Sequence, residues 1–99
     1  LMVGFGGIHV EKTRDVAFAP VPLGEDDCNQ LLKKLKGSVL LDADKYDVPA
    51  LIDLMTSLSN FAESTSDYIG EIDLNPVLVH SKGQGVTVID ALMLKHQKH

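Results

Sequence analysis

The stretch that decides the fold reads Glu71-Ile72-Asp73-Leu74-Asn75-Pro76-Val77-Leu78-Val79-His80, then Ser81-Lys82-Gly83-Gln84, then Gly85-Val86-Thr87-Val88-Ile89-Asp90. Two apolar runs rich in β-branched residues, separated by a four-residue loop that contains glycine, predict a β-hairpin. If His80 pairs with Gly85, the numbers of paired residues add up to 165, and Asn75 lies directly opposite Asp90. Directly opposed residues of antiparallel strands share a face of the sheet. The predicted register therefore places an amide and a carboxylate side by side.

Oxygen-bearing side chains recur on this hairpin. Successive side chains of a strand point to opposite faces, so Glu71, Asp73 and Asn75 are expected on one side. The opposite strand adds Asp90, a carboxylate within the largely apolar run of residues 86–94. A carboxylate in such a run calls for a partner. From these residues alone two interpretations stay open: a solvated acidic face, and a hard-oxygen site of the kind that suits Mg²⁺.

Composition narrows the classes of function. The chain has 99 residues, enough for one domain with a modest core, and 44% of them are apolar, which is ordinary for a globular chain. A net charge of −5 without a basic cluster argues against nucleic-acid binding. No apolar run approaches the roughly 18 residues of a membrane span, and no signal peptide is visible, so a cytoplasmic location without membrane attachment is expected. Cys28 is the only cysteine, which leaves no disulfide framework and favours a small core residue.

The rest of the chain predicts an α+β unit, with a mainly antiparallel sheet packed against two helices. Short strands are predicted at residues 1–3, 8–12 and 15–21. The first helix is expected over residues 25–36, with acidic residues in its first turn and lysines in its last. Asp47 is placed to cap the second helix, with Pro49 in its first turn and an end at residues 64–67. The side chains expected to face the core are Cys28, Leu31, Leu32 and Leu35 on the first helix and Val48, Leu51, Ile52, Met55, Leu58, Phe61 and Ala62 on the second.

A glycine-rich block lies near the start of the chain. Gly4, Gly6 and Gly7 allow positive φ and close approach of the backbone to a ligand. Main-chain N–H groups there could bind a phosphate, and a tight hairpin turn is the alternative interpretation. The block is neither a Walker A loop nor a dinucleotide fingerprint, because the Lys-Ser/Thr ending is missing and no helix is expected after the glycines.

Two separated motifs resemble one known family. The segment Glu71–Val79 together with Val88-Ile89-Asp90-Ala91 is similar to the signature E-[IL]-[DE]-[IL]-N-P-L … [VL]-x-D-[AG] of the ATP-grasp domain in NDP-forming acyl-CoA synthetases. These are the ADP-forming acetyl-CoA synthetases and their relative, the succinyl-CoA synthetase β chain. The block from Gly4 to Phe18 resembles the family's G-x-G-G-x-x-V-E-x-x-x-D-V-x-F block. Residues 1–94 are therefore expected to form the C-terminal lobe of an ATP-grasp domain, and residues 95–99 a frayed polar tail.

The resemblance implies a chemistry and a set of site residues. The family converts acyl-CoA, ADP and phosphate reversibly into acid, CoA and ATP, through an acyl phosphate and a phosphohistidine. By motif position, Asn75 and Asp90 would be the principal Mg²⁺ ligands, with Asp73 as an associated carboxylate and Glu71 as a hydrogen-bonding support. The residues that would border the phosphate end of bound ATP or ADP are Gly6, Gly7 and Glu11. Glu11 is the one candidate catalytic residue.

The resemblance also implies partners. Because the chain begins at Leu1, in a predicted strand, we expect a piece of a longer polypeptide. The N-terminal ATP-grasp lobe, the CoA-binding domain or subunit and the phosphohistidine segment would lie elsewhere, with CoA and a carboxylic acid as substrates of the parent protein. Self-association of the piece is left open. Two alternatives to a synthetase also stay open: the ATP-grasp-like portion of a multidomain protein acetyltransferase, and a degenerate lobe with a regulatory or assembly role.

Overall fold

The computed structural model describes residues 1–4 and 16–96. The predicted strand at residues 8–12 lies outside the described residues, as do Gly6, Gly7 and Glu11. The described strands are β1 (Met2–Gly4), β2 (Val16–Phe18), β3 (Ile69–Leu74), β4 (Val77–Val79), β5 (Val86–Val88) and β6 (Ala91–Lys95). The described helices are α1 (Glu25–Lys33) and α2 (Val48–Ser64), with a 3₁₀-helix over Lys36–Leu40 between them.

The predicted α+β class with antiparallel strands and two helices is confirmed. Within the described residues, however, the strands form three separate antiparallel pairs, β1–β2, β3–β6 and β4–β5, and not one sheet. The strand predicted at residues 15–21 is shorter than expected, since β2 covers only Val16–Phe18. Pro20 and Pro22 follow directly, and a proline has no N–H to give to a ladder.

Helix α1 begins where its sequence predicts and ends three residues early. The carboxylate of Asp27 accepts a hydrogen bond from the backbone N–H of Gly24 at 3.0 Å, which satisfies a free donor at the N-terminus. At the other end, the N–H groups of Lys34 and Leu35 bond to carbonyls three residues back, which tightens the last turn. Leu35 is extended, with φ −72° and ψ 136°, so the prediction that the helix runs to Lys36 is wrong.

Asp47 caps helix α2 as predicted. Its Oδ1 accepts from the N–H of Ala50 at 3.2 Å, and Pro49 occupies the first turn, where its missing N–H costs nothing. The two helices pack against each other through the predicted stripes. All four residues predicted for α1 are buried, and on α2 the buried members are Leu51, Ile52 and Met55, with the rest of the stripe half-buried. Ala17 and Leu23 complete this core.

The core also contains one buried polar side chain that the sequence analysis did not single out. Ser59, on α2, is fully buried, and its Oγ accepts a hydrogen bond from the N–H of Leu23 at 2.6 Å. This bond fixes the segment before α1 to the second helix. Cys28 is fully buried as predicted, and its Sγ lies 3.6 Å from the hydroxyl of Thr56. Neither helix of the described part has both the length and the apolar character for a bilayer crossing.

Candidate metal and nucleotide site

The register predicted for the hairpin is confirmed. The pairs Val77 with Val88 and Val79 with Val86 keep the sum of 165, and His80 N–H donates to the carbonyl of Gly85 at 3.0 Å. The same register continues through β3 and β6, where Asp73 pairs with Leu92. Between the two ladders, the N–H of Asn75 donates to the carbonyl of Asp90 at 3.1 Å. The two predicted principal ligands therefore lie opposite each other, as expected.

The strand that carries them is interrupted at Asn75 and Pro76, a residue pair that can end a strand in a turn. Strand β3 ends at Leu74 and β4 begins at Val77. Two consecutive cross-strand pairs are hydrogen-bonded here. The N–H of Asn75 donates to the carbonyl of Asp90, and the N–H of Ile89 donates to the carbonyl of Pro76 at 3.0 Å. In a regular antiparallel ladder only every second pair is bonded in this way. The regular alternation of side chains therefore breaks between Asn75 and Pro76. Glu71 and Asp73 share a face of β3 as expected, and Asn75 follows directly after the end of this strand, on a rung with the same register.

The side chains on the acidic face of β3 are not exclusively polar. Asp73 pairs with Leu92, and Glu71 pairs with Leu94, so each carboxylate has a leucine as its direct cross-strand neighbour. The acidic face is therefore a mixed surface, on which carboxylates alternate across the pair with apolar side chains. Carboxylates repel the anionic part of a nucleotide, so this surface suits phosphate groups only if a cation lies between them.

The far end of the hairpin differs from the predicted frayed tail. A bulge at Gly70 shifts the register, so that Ile69 pairs with Lys95. The N–H of His96 donates to the carbonyl of Tyr68 at 2.9 Å. Lys95 and His96 are thus part of the paired structure, and the prediction of a frayed tail is wrong for these two residues.

The three predicted metal ligands are accessible to solvent. Asp73, Asn75 and Asp90 are all exposed, and the Oδ1 atom of Asp90 accepts from the N–H of Ala91 at 2.9 Å. Within residues 1–4 and 16–96, no three His, Cys, Asp or Glu side chains come close enough together to hold a metal. The donor set that the family resemblance implies is two carboxylates and one amide oxygen. It fits Mg²⁺, which commonly takes one or two carboxylates from a nucleotide-binding protein and fills its other positions with water and phosphate oxygens.

Asp47 positions the loop of the hairpin, a role that the sequence analysis missed. While Oδ1 caps helix α2, Oδ2 accepts from the N–H of Gly85 at 2.7 Å. The N–H of Asp47 also donates to the carbonyl of His80 at 2.9 Å, and the N–H of Lys82 donates to the carbonyl of Lys45 at 2.9 Å. These bonds attach the first residues of α2 to the pair His80 and Gly85, with which the predicted register begins. No local pattern could have revealed this, since Asp47 and Gly85 are 38 residues apart.

Comparison with known proteins identifies the family. Residues 1–94 match the family model of the ATP-grasp domain. The chain belongs to the ATP-grasp family. The resemblance to NDP-forming acyl-CoA synthetases is confirmed as well, because ADP-forming CoA ligases are among the similar curated proteins. The β subunit of the ADP-forming acetate–CoA ligase II of Pyrococcus furiosus is 36% identical over 98 residues, which are 95% of this chain and 42% of that subunit. The ADP-forming 4-hydroxybutyrate–CoA ligase of Nitrosopumilus maritimus is 32% identical over 91% of this chain and 13% of its own length.

Solved structures agree with these relatives. A crystal structure of a Pyrococcus horikoshii protein matches 98% of this chain and 42% of its own, with a TM-score of 0.90 and 36% identity. A dinucleotide-forming acetyl-coenzyme A synthetase 1 of Candidatus Korarchaeum cryptofilum, in complex with coenzyme A and Mg-AMPPCP, matches 96% of this chain and 45% of its own, with a TM-score of 0.84 and 33% identity. This ATP-grasp chain thus spans less than half the length of each of these four relatives.

Proposed function

We propose that this chain is the C-terminal lobe of the ATP-grasp domain of an NDP-forming acyl-CoA synthetase, an acid–thiol ligase. The observation that carries the proposal is the rung on which Asn75 and Asp90 oppose each other, with Asp73 on the adjoining strand. The ADP-forming CoA ligases among its relatives support the reaction class. The parent protein would convert acyl-CoA, ADP and phosphate reversibly into acid, CoA and ATP, through an acyl phosphate and a phosphohistidine.

Each residue has a defined role in this proposal. Asn75 offers a neutral carbonyl oxygen, while Asp90 and Asp73 add negative charge, so that the set would hold a divalent cation without neutralising it completely. When bound, Mg²⁺ would neutralise and orient the β- and γ-phosphates of the nucleotide. Gly6 and Gly7 would approach the phosphates through their backbone, and Glu11 would line the same end of the site.

The proposal assigns the other parts of the reaction to the rest of the parent protein. The N-terminal ATP-grasp lobe would supply most nucleotide contacts, and the CoA-binding domain or subunit would supply the thiol site. The carboxylic acid and the phosphohistidine would meet the nucleotide only in the assembled enzyme. We therefore expect the isolated 99 residues to show no ligase activity. Formation of acyl-CoA by this piece alone, with ATP, acid and CoA, would contradict that division.

The decisive experiment replaces Asp90 by Asn in the full-length parent. The exchange keeps the size of the side chain and its acceptor for the Ala91 N–H, but removes the charge that would face the cation. Removal of one group that stabilises transition-state charge, such as an oxyanion-hole donor, costs about 10²–10³-fold in turnover. We expect a loss of that order, together with a higher Mg²⁺ requirement. Asp53→Asn, on the exposed side of α2, is the matched control and should leave turnover unchanged.

Calorimetric titration of the same proteins with Mg-ADP tests the alternative of a degenerate lobe. Binding by the wild-type parent, weakened in Asp90→Asn, is the expected result. Near-normal turnover in Asp90→Asn would remove this residue from the ligand set. If the wild-type parent binds no Mg-ADP at all, the lobe is degenerate, and a regulatory or assembly role replaces the synthetase.

A further inference from the structure

Asp47 takes the place of one backbone hydrogen bond at the loop end of the hairpin. Two residues of a hydrogen-bonded antiparallel pair exchange two N–H···O bonds. His80 and Gly85 form one of these, from the N–H of His80 to the carbonyl of Gly85 at 3.0 Å. The two groups of the other bond both bind Asp47: the Gly85 N–H donates to its Oδ2 at 2.7 Å, and the His80 carbonyl accepts from its N–H at 2.9 Å. The hairpin is thus closed through the residue that caps helix α2.

A short bridge beside Asp47 joins the same two parts of the molecule. Tyr46 and Ser81 are antiparallel bridge partners, flanked on both sides by backbone hydrogen bonds of 2.9 Å. A pair with its bonds on either side is a non-hydrogen-bonded pair, and its Cα atoms are about 4.5 Å apart. The segment that leads into α2 therefore lies directly beside the loop end of the hairpin.

The Asn75 and Asp90 rung lies at the other end of the same short ladder. Five residues separate Asn75 from His80, which is roughly 17 Å at about 3.4 Å per residue of strand. The β4–β5 ladder between them has three pairs, and a two-stranded hairpin is marginally stable unless it packs against other elements. Three of its valines pack against the helical core, and Asp47 adds hydrogen bonds to the start of α2. The contacts that hold this ladder on the helices therefore also set the place of the rung.

The opposite side of the rung offers no equivalent attachment to the helices. There the hairpin continues as β3 and β6, and within the described residues neither strand contributes a side chain to the helical core cluster. The position of Asn75 and Asp90 relative to α2 is therefore determined from the β4–β5 side, where Asp47 binds.

We propose that Asp47 is a positioning residue for the cation site. Through its bond with Gly85 it fixes the hairpin, and with it Asn75 and Asp90, at one place relative to helix α2. This inference rests on the proposed function, because it assumes that the rung holds the cation. It adds a residue that neither the motif nor the strand register assigns to the site. Without the Gly85 bond the ladder can shift on the helices, so the productive position of the ligands is less populated and more Mg²⁺ is required.

Asp47→Ser in the full-length parent separates this role from helix capping. Serine caps a helix about as well as aspartate, but its single short oxygen leaves the Gly85 N–H without its acceptor. Turnover is measured against Mg²⁺ concentration at saturating ADP, and circular dichroism checks the fold. Coupling between two sites of a protein is typically worth about 5–150-fold. We expect the half-saturating Mg²⁺ concentration to rise about fivefold or more, with a smaller change in turnover at saturating Mg²⁺. An unchanged Mg²⁺ requirement in the folded variant would overturn the proposal.

Ser59→Ala is the matched control for a loss of stability. It also removes the acceptor of one backbone N–H, that of Leu23, and it lies on the same helix. None of the hairpin bonds described above involves Ser59. We expect its Mg²⁺ requirement to equal that of the wild type. An equal rise in Ser59→Ala and Asp47→Ser would mean that the requirement follows general destabilisation, which contradicts a positioning role.

A disulfide across the bridge provides a rescue. The Cα separation of a non-hydrogen-bonded pair, about 4.5 Å, lies within the range that a disulfide spans. Tyr46→Cys and Ser81→Cys, added to Asp47→Ser, reattach the hairpin without the carboxylate. We expect the oxidised protein to regain the Mg²⁺ requirement of the wild type and the reduced protein to keep the raised one. If oxidation does not lower the requirement, attachment of the hairpin is not what Asp47 contributes, and the proposal fails.

Mg-ADP titration keeps this proposal apart from the proposed function. A wild-type parent that binds no Mg-ADP refutes both. Binding that is weakened in Asp90→Asn and unchanged in Asp47→Ser supports the proposed function and refutes the positioning role alone. Weaker binding in both variants, with Ser59→Ala at the wild-type level, is the result expected here.

Discussion

Replacing Asp47 tests how the hairpin is attached to the helices. Its two carboxylate oxygens accept from different N–H groups, Oδ1 from Ala50 at 3.2 Å and Oδ2 from Gly85 at 2.7 Å. Loss of an N-cap costs about 0.5–2 kcal/mol, and loss of a hydrogen bond to a charged group about 1.5–3 kcal/mol. Because Asp47 is half-buried, we expect Asp47→Ala to lower the free energy of unfolding by about 2–4 kcal/mol, a large share of the 5–15 kcal/mol of a typical domain.

Asp47→Asn separates the two contributions. The amide has a single oxygen, so it can keep only one of the two acceptors. We therefore expect a free energy of unfolding between those of the wild type and of Asp47→Ala. Asp44→Asn, an exposed residue of the same loop, is the control and should change stability by less than about 0.5 kcal/mol.

The assay is urea unfolding followed by far-UV circular dichroism, combined with amide hydrogen exchange at Gly85. Faster exchange of the Gly85 N–H in Asp47→Ala is expected, because this N–H then loses its acceptor. The reasoning is refuted if Asp47→Asn matches the wild type in both stability and exchange, since that would mean that the second oxygen contributes nothing.

Three further substitutions probe the core and the loop, each measured by urea unfolding. Ser59→Ala leaves the buried N–H of Leu23 without an acceptor and should lower the free energy of unfolding by about 1–3 kcal/mol. Ser57→Ala, on the exposed side of the same helix, is the control and should leave the free energy of unfolding unchanged. Equal effects of the two substitutions would disprove the role of the Ser59 hydroxyl. Leu31→Ala, at a side chain only 1% exposed, should cost about 2–5 kcal/mol, and a loss below this range would show that the core closes the cavity. Gly83 has φ +82°, and a Cβ atom added there would meet open space. Gly83→Ala should therefore lower the free energy of unfolding by about 1–2 kcal/mol through backbone strain alone, and Gly83→Asn should lower it less. Equal stability of the alanine variant and the wild type would exclude this strain.

The parts of the fold that could be predicted depend on short-range information. The stripe of Cys28, Leu31, Leu32 and Leu35 follows from helical periodicity, and all four are buried. The hairpin register follows from the length of one loop, because the pairing of His80 with Gly85 fixes the rungs as far as Glu71 and Leu94, where the bulge at Gly70 shifts the register. That is why the opposition of Asn75 and Asp90, fifteen residues apart, could be predicted from the sequence.

The features that the sequence does not reveal depend on contacts between residues far apart in the chain, or on the hydrogen-bond pattern where a strand is interrupted. Ser59 and Leu23 are 36 residues apart, and no periodic pattern distinguishes Ser59 from the other serines of its helix. The alternation of polar and apolar residues over 71–75 gives way to the apolar run 77–79, and this change does not by itself show which rungs are hydrogen-bonded. Pro76 gives no N–H to the ladder, so its rung has only the bond donated by Ile89.

The candidate site is predictable to a different extent at its two ends. The carboxylates and the amide on the hairpin could be placed because a strand register determines them. The phosphate end, with Gly6, Gly7 and Glu11, lies outside the described residues and stays a prediction from resemblance.

The backbone bond between Asn75 and Asp90 has a mechanical consequence. Two residues joined by one hydrogen-bonded rung keep a nearly constant separation of their Cα atoms when other parts of the molecule move. If the parent opens and closes around its nucleotide, the pair would move as a rigid unit, and any cation it holds would travel with this lobe. Adjustment of the coordination distances would then fall to the phosphate groups and to water.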